Sequence, residues 1–402
     1  MAGLTSIEQS AVERAAAEPM LRQVEVWAGV NSGSANLPGL ALIAGTLAEA
    51  FSALPGELAL VDPAPVETVD GAGRTRPVEH GQNLHLKVRP EAPVQLLLTG
   101  HMDTVYGADH PFQAVDWKED GVLNGPGVAD MKGGIAVMLA ALKGVEASGA
   151  AANLGYEVVI NSDEEVGSPG SAALLARAAQ GKKAALTYEP SALPDGTFAG
   201  ARPGSGNFAF VIRGRSAHAG RNPEDGRNAI VAAGELALRL AMSRTPGLLV
   251  NPARIEGGGP NNVVPDLAVL SVNLRPATGD DQEIARRLIE KAVAETAAAH
   301  DVYIEIHGGF GRPPKPMTGE TEALFQLVAR AGADLNQSVG WQNSGGVCDG
   351  NNIAACGVPV IDTMGVRGGK IHSMDEYLIV ESLEERAALS ALTIMRLAGA
   401  GR

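Results

Sequence analysis

Cysteine is nearly absent from this 402-residue chain: Cys348 and Cys356 are the only two, spaced as neither a CxxC redox pair nor a four-thiolate zinc site. That excludes a disulfide scaffold and makes a reducing cytoplasm the expected compartment. Positive charge is also short, with 32 basic against 46 acidic side chains and a net charge of -14. Such a chain repels phosphate backbones, so nucleic acid is not expected as a partner. No apolar run approaches the roughly 20 residues a bilayer span needs, and the first residues lack a basic stretch followed by an apolar one. The expectation is a soluble, unprocessed protein with no membrane partner. Histidine is scarce, at 8 residues, and aromatics make up only 4%. Any metal site must therefore draw heavily on carboxylates.

What is present suffices for a large core: 45% of residues are hydrophobic, and the length suggests two to three domains of about 150 residues each. Apolar residues at helical spacing (Val12, Met20, Val24 and Trp27, then Leu40, Ile43 and Leu47) predict two amphipathic helices between Ser6 and about Pro55. A variable Pro- and Gly-containing segment follows. The run VQLLLTG from Val94 to Gly100 predicts a buried strand, Met131 to Val145 a helix, and Tyr156 to Asn161 a second strand. Strand, helix, strand implies an α/β fold with a doubly wound, mostly parallel sheet and helices on both faces.

Near Ala201 the pattern changes. Strands at Phe208 to Arg213, Leu267 to Leu274 and Val302 to His307, with helices at Asn228 to Leu240 and Asp281 to Ala299, predict an inserted α+β domain, βαββαβ-like, over residues 205–312. It would separate catalytic-domain segments 1–204 and 313–402. After the Pro-rich hinge from Gly311 to Pro316, a helix, a short strand from Val358 to Asp362 and a helix from Ser382 to Leu397 resume the first domain.

Polar residues gather where these strands end, the place where open α/β sheets bind ligands. His101 follows the first strand, and Asp103, two residues on, could accept its other imidazole N–H; a stabilising His–Asp pair reads equally well. Asp130 lies in GPGVADMKGG, whose glycines would let backbone approach a ligand, although Asp is also a common helix N-cap. NSDEEVGS places Asp163, Glu164 and Glu165 together, and three such acids repel one another unless a cation or solvent compensates. Glu189 in YEPS and His372 in GGKIHS are weak signals alone. Together these residues form an N/O ligand set suited to zinc or a similar divalent ion.

The ordered motifs GHMDTVYG, GPGVADMKGG, NSDEEVGS, YEPS, GRSAHAG, NNVVP, SGGVCDG and GGKIHS resemble the di-zinc peptidases and amidohydrolases. These include glutamate carboxypeptidase, succinyl-diaminopimelate desuccinylase and acetylornithine deacetylase. The likeness runs from about residue 95 onward and in its motifs is greatest to glutamate carboxypeptidase. It implies that Asp130 bridges two divalent ions, zinc first and Co2+ or Mn2+ as alternatives. His101 and Glu189 would complete one site, Glu165 and His372 the other, with Glu164 as general base. Metals about 3.5–4 Å apart activate water and polarise the scissile carbonyl, while the base moves the proton. The resemblance further implies that His218 stabilises the oxyanion, in some members across a dimer. Asn262, Arg275, Gly345 and Gly346 would contact substrate. Arg312 is a candidate grip for its carboxylate, or else a hinge salt bridge. Cys348 departs from the family pattern.

The expected activity is release of a C-terminal amino acid from a small peptide, with N-acyl-amino-acid deacylation as the alternative, by a homodimer joined through the inserted domain. A serine hydrolase is disfavoured because no GxSxG elbow occurs. A non-catalytic metal-binding module has no need of an unliganded base beside a ligand. His80, His85, His110, His300 and His307 receive no role.

Overall fold

Six strands form the central sheet of the computed structural model, which describes residues 3–149 and 151–399. Across the sheet they run Glu57–Val61, Asn83–Val88, Leu154–Asn161, Val94–His101, Ala184–Thr187 and Val360–Ile361. The last four are parallel, and the first two add antiparallel pairings at one edge. The sheet is thus mixed, with a parallel centre. Leu96, Leu97 and Leu98 are all fully buried because both faces are covered, which explains a run without alternation. Leu96 and Leu98 pack into the main core with the helices Ser6–Ala16, Gly134–Ala147 and Glu381–Leu397. Leu97 faces the other way, with Val159, Ala185 and Val360, under the helices Ala172–Ala179 and Asp349–Ala354.

The N-terminal region corrects the expected helix pair to three helices: Ser6–Ala16, Met20–Ala28 and Leu37–Phe51. Pro19 separates the first two, since proline cannot continue a helix through its missing N–H and ring clash. The segment that follows contains four strands that its prolines conceal. Glu57–Val61 and Asn83–Val88 join the central sheet, while Val66–Val69 and Thr75–Val78 form a separate hairpin.

The inserted unit is a four-stranded antiparallel sheet in the order Leu248–Gly257, Leu267–Pro276, Ser205–Arg213, Tyr303–Arg312. Helices Ala229–Met242 and Gly279–His300 cover one face, and Phe210, Ile212, Leu236 and Leu270 are fully buried between the layers. The Leu248–Gly257 strand has no counterpart among the strands located from sequence. It contains Pro252, where the register shifts, and it lies at the sheet edge, the position that tolerates a missing donor.

Candidate metal centre and cleft

His101 ends the Val94–His101 strand, Leu154–Asn161 leads to Glu164 and Glu165, and Ala184–Thr187 leads to Glu189, whereas His372 lies between Gly368–Gly369 and Tyr377–Ile379, two strands of a separate four-stranded sheet. Parallel neighbours place the ends of the central strands along one edge of their sheet. Asp130 arrives from the loop before Gly134–Ala147. There Gly134 allows a close approach, for a Cβ would sit 1.9 Å from the Tyr188 carbonyl oxygen. That glycine therefore admits neighbouring backbone rather than a ligand. The helix N-cap is Gly133, so Asp130 is not the cap.

Buried Asp130 faces two imidazoles. Its Oδ1 is 3.0 Å from His101 Nε2, and its Oδ2 is 3.4 Å from His372 Nε2. Glu189 Oε2 lies 3.7 Å from His101 Nε2, and Glu165 Oε2 lies 3.1 Å from His372 Nε2. Ligand atoms of His101, Asp130 and Glu165 fall within 4.8 Å of one another, as do those of His101, Glu164 and Glu189. His372, 52% exposed at its side chain, stands at the rim and belongs to neither group.

This crowding shifts the protonation of every member. Burial pushes Glu164 up to about 7, with Arg312 opposing it, and burial together with the Asp130 charge pushes Glu165 up to about 8. Burial also raises Glu189. Burial alone would depress the His101 imidazolium, yet Glu189, Asp103 and Asp130 hold its pKa well above the usual histidine range. Hydrogen bonds to Asp130 and Glu165 lift His372 to about 11. Asp130 is lowered despite its burial because both imidazoles face it. Four buried carboxylates around two imidazoles are a set that divalent cations would relieve, and the donors suit such ions.

Asp103 sits beside His101 as expected and does more besides. His101 Nδ1 is 3.0 Å from the Asp103 backbone oxygen and 3.3 Å from its carboxylate, so the carbonyl is the nearer partner. The carboxylate accepts the Glu164 and Glu165 backbone N–H groups at 3.1 and 3.2 Å and the Ser34 hydroxyl at 2.7 Å. It anchors the turn that carries both glutamates. Glu376 went unnoticed in the sequence. Buried, it accepts the Ala129 and Asp130 N–H groups at 3.0 and 3.1 Å and the Tyr106 hydroxyl at 3.0 Å. An acid four residues past a histidine carries no distinguishing signal of its own.

A cleft of about 1130 Å³ opens over this cluster, with walls from both units. Arg275 and Gly346 line it; Arg275 meets neutral groups, Asn273 Oδ1 at 3.1 Å and the Gly345 carbonyl at 3.0 Å. Arg312 also lines it, but its fork is occupied: Nη1 is 2.6 Å from Glu164 Oε1, and Nη2 donates to the Glu164 carbonyl at 2.8 Å and to Ser168 Oγ at 3.0 Å. In this arrangement it holds the expected base rather than standing free for a substrate. His218 and Asn262 are exposed together on the inserted unit, joined by the Ala219 N–H to the Asn262 carbonyl, and are not among the cleft residues of their own chain. His218 Nδ1 accepts the Gly220 and Arg221 N–H groups, which leaves Nε2 as the outward donor. Cys348 is buried against the cleft, and burial raises its thiol well above the usual range.

No helix among the described residues is long and apolar enough to cross a membrane. A tripeptidase from Staphylococcus aureus shares the fold with a TM-score of 0.73, 23% identity, and coverage of 96% of this chain and 99% of that one. A dipeptidase from Saccharomyces cerevisiae gives 0.72 at 14% identity, covering 98% and 99%. In sequence, the chain is 32% identical to carboxypeptidase G2 of Pseudomonas sp. strain RS-16 over 80% of its own length and 78% of that protein. It is likewise 32% identical to succinyl-diaminopimelate desuccinylase of Xanthomonas campestris pv. campestris strain B100, over 76% and 84%. Residues 97–396, which carry every candidate ligand of the cluster described above, match peptidase family M20/M25/M40, and the chain belongs to that family of hydrolases.

Proposed function

We propose that this hydrolase is a di-metal carboxypeptidase of the glutamate carboxypeptidase type, releasing a C-terminal amino acid from a small peptide or acyl conjugate. The observation that carries the reading is Asp130, whose two oxygens face two different imidazoles across one buried cluster. Asp130 would bridge two divalent ions, zinc first, with His101 and Glu189 holding one and Glu165 and His372 the other. Ions bound there supply Lewis acidity to the scissile carbonyl and to water. Glu164 is the group left to take the water's proton and return it to the leaving amine. Its pKa near 7 suits both tasks, and Arg312 fixes its carboxylate. Arg275, whose partners are neutral, receives the terminal carboxylate beside Gly345 and Gly346. Residues 205–312 act as lid and dimerisation domain, and His218 with Asn262 serves the partner's cleft. His218 Nε2–H is the oxyanion donor.

Deacylation of an N-acyl amino acid is the second reading, supported by the equal identity to the desuccinylase. The first is preferred on the likeness of the ordered motifs, which is greatest to glutamate carboxypeptidase. A metal-replete screen of N-acyl amino acids, dipeptides and folyl-type glutamate conjugates, with both products identified by mass spectrometry, separates the two. Cleavage of simple N-acyl substrates alone would replace the carboxypeptidase reading with the deacylase one. Cleavage of none would remove both.

A further inference from the structure

The Val66–Val69/Thr75–Val78 hairpin pairs with no other strand among the described residues. An isolated two-stranded hairpin is marginal in water, so its order must come from what it rests on. Its tip rests on the inserted sheet. The Arg213 guanidinium donates to the Gly73 carbonyl at 3.0 Å, and a Cβ on Gly73 would lie 2.7 Å from Val211 Cγ1 and 3.3 Å from Leu267 Cδ1. Gly73 also has φ of +66°, so both its space and its backbone require glycine. Val211 and Val269 are 0% and 2% exposed yet lie outside the core beneath the helices; they face the side where the tip sits. Within the tip, the Asp70 carboxylate accepts from Ala72 N at 2.9 Å, Arg74 N at 3.0 Å and Arg76 Nε at 2.5 Å, which fixes the turn.

The docking point is far from the hinge. The inserted sheet connects to the catalytic unit at Ser205 and Arg312, which pair with each other, whereas the tip meets Arg213 and Leu267 at the opposite ends of their strands. Eight residues of strand span about 26 Å. The inserted domain is thus tethered at both ends, covalently at one and by the hairpin at the other. Between the tethers lie the cleft residues Asn207, Asn273 and Gly309, while Val66, Thr68 and Val78 of the hairpin stem form part of the same cleft's lining.

We infer that this hairpin is a specificity-determining wall: docked on the inserted domain, it closes the hinge-distal end of the cleft and restricts the enzyme to short substrates. The inference rests on the amide-hydrolase reading above. A substrate extended beyond the cleft at this end would have to pass where stem and sheet meet, between the stem residues Val66, Thr68 and Val78 and the docked tip.

The test uses the full metal-loaded enzyme and a ladder of acetylated substrates lengthened one glycine at a time, ending in whichever amino acid the wild type releases. One variant replaces residues 66–78 by Gly-Ser-Gly, a splice that the pairing of Val66 with Val78 permits. A second, Gly73→Val, keeps the stem and undocks the tip. Pocket walls discriminate by about 10–200-fold, so the ratio of kcat/KM for the longest over the shortest substrate should rise at least about tenfold in a folded variant. Hydrogen exchange at residues 66–78 should quicken in Gly73→Val. An unchanged ratio in every variant that folds and still cleaves the shortest substrate overturns the proposal. Should the splice fail to fold, Gly73→Val decides alone. A wild type that cleaves no member of the ladder or of the broader screen defeats the amide-hydrolase reading instead.

Discussion

Glu164 and Glu165 are neighbours with opposite company: Arg312 lies 2.6 Å from one and His372 3.1 Å from the other. Their backbone N–H groups are both held by Asp103, so the turn aims one carboxylate at a cation of the protein and the other at the ligand cluster. Glu164→Gln keeps the turn and the shape but cannot carry a proton. Turnover should fall by about 10²–10⁴-fold, with metal content unchanged by elemental analysis. Loss of metal along with activity would make Glu164 a ligand instead. Asp103→Ala removes the acceptor of three bonds, two of them from the turn that carries Glu165. Metal affinity in a chelator titration should weaken about 10–100-fold, and an unchanged titration would deny the role. The strand ends that carry His101, Glu165 and Glu189 were legible because apolar runs announce where the central strands stop, whereas Asp130 and His372 follow Val122–Asn124 and Gly368–Gly369, strands of a separate sheet, and so depart from the expectation that all five share one sheet. A salt bridge for Arg312 was one of its two readings, but its partners were not legible, since Glu164, Ser168 and Asp349 come to it from distant positions that no local pattern links.

Elements here are keyed to one another by single buried side chains. Glu376 binds the backbone of the Asp130 loop while the Tyr106 hydroxyl reaches both Glu376 and the Ser373 carbonyl beside His372, so two ligand-bearing loops share one support. Glu376→Ala should weaken metal binding about 10-fold or more, as losses behind a ligand do, with Glu376→Gln milder because Gln retains one acceptor oxygen. Equal affinities for wild type and both variants would show that the loops hold without it. On the sheet, Glu157 accepts from His85 on the adjacent strand and from Lys182 in the turn before Ala184–Thr187. Burial works against its charge, but those two partners prevail and lower its pKa to about 2. A depressed carboxylate stabilises the fold above its unfolded value and loses that contribution as pH falls through the folded one. Glu157→Gln should therefore cost about 1–2 kcal/mol at pH 7, allowing for partial solvent screening, and the deficit should shrink by more than half at pH 3 in urea titrations. A deficit independent of pH would assign the effect to packing. The long helices and buried strands followed from their periodicity. The Leu248–Gly257 strand, interrupted by Pro252, and the four strands between residues 57 and 88 did not, because prolines lie within or close beside them and their reason to form lies in partners elsewhere in the chain.

One face of the inserted domain has no cover among the described residues. The Ala229–Met242 helix buries Ala232, Ala233, Leu236 and Leu240 but leaves Val231, Leu238 and Met242 at 54%, 61% and 77% exposure, a single stripe at helical spacing. Beside it, the Leu248–Gly257 edge strand exposes Leu249 and Ile255. An apolar stripe next to an open strand edge is what a second copy would cover, through a two-fold contact that uses the same patch twice. In the proposed dimer, His218 and Asn262, which are not among the cleft residues of their own chain, would serve the partner's cleft. Leu238→Glu combined with Met242→Glu should yield a monomer in analytical ultracentrifugation, and kcat should fall about 10²–10³-fold, the scale of one lost oxyanion donor. A fully active monomer would place His218 outside the reaction or in its own cleft. Subunit mixing tells those apart. His218→Ala and Glu164→Gln proteins are each expected to be nearly inactive, yet a heterodimer unites the intact Glu164 of one subunit with the intact His218 of the other in a single cleft. Activity that reappears on mixing, and tracks heterodimer content by native mass spectrometry, requires donation across the interface. If His218 served its own cleft, every heterodimer would remain as inactive as its parents.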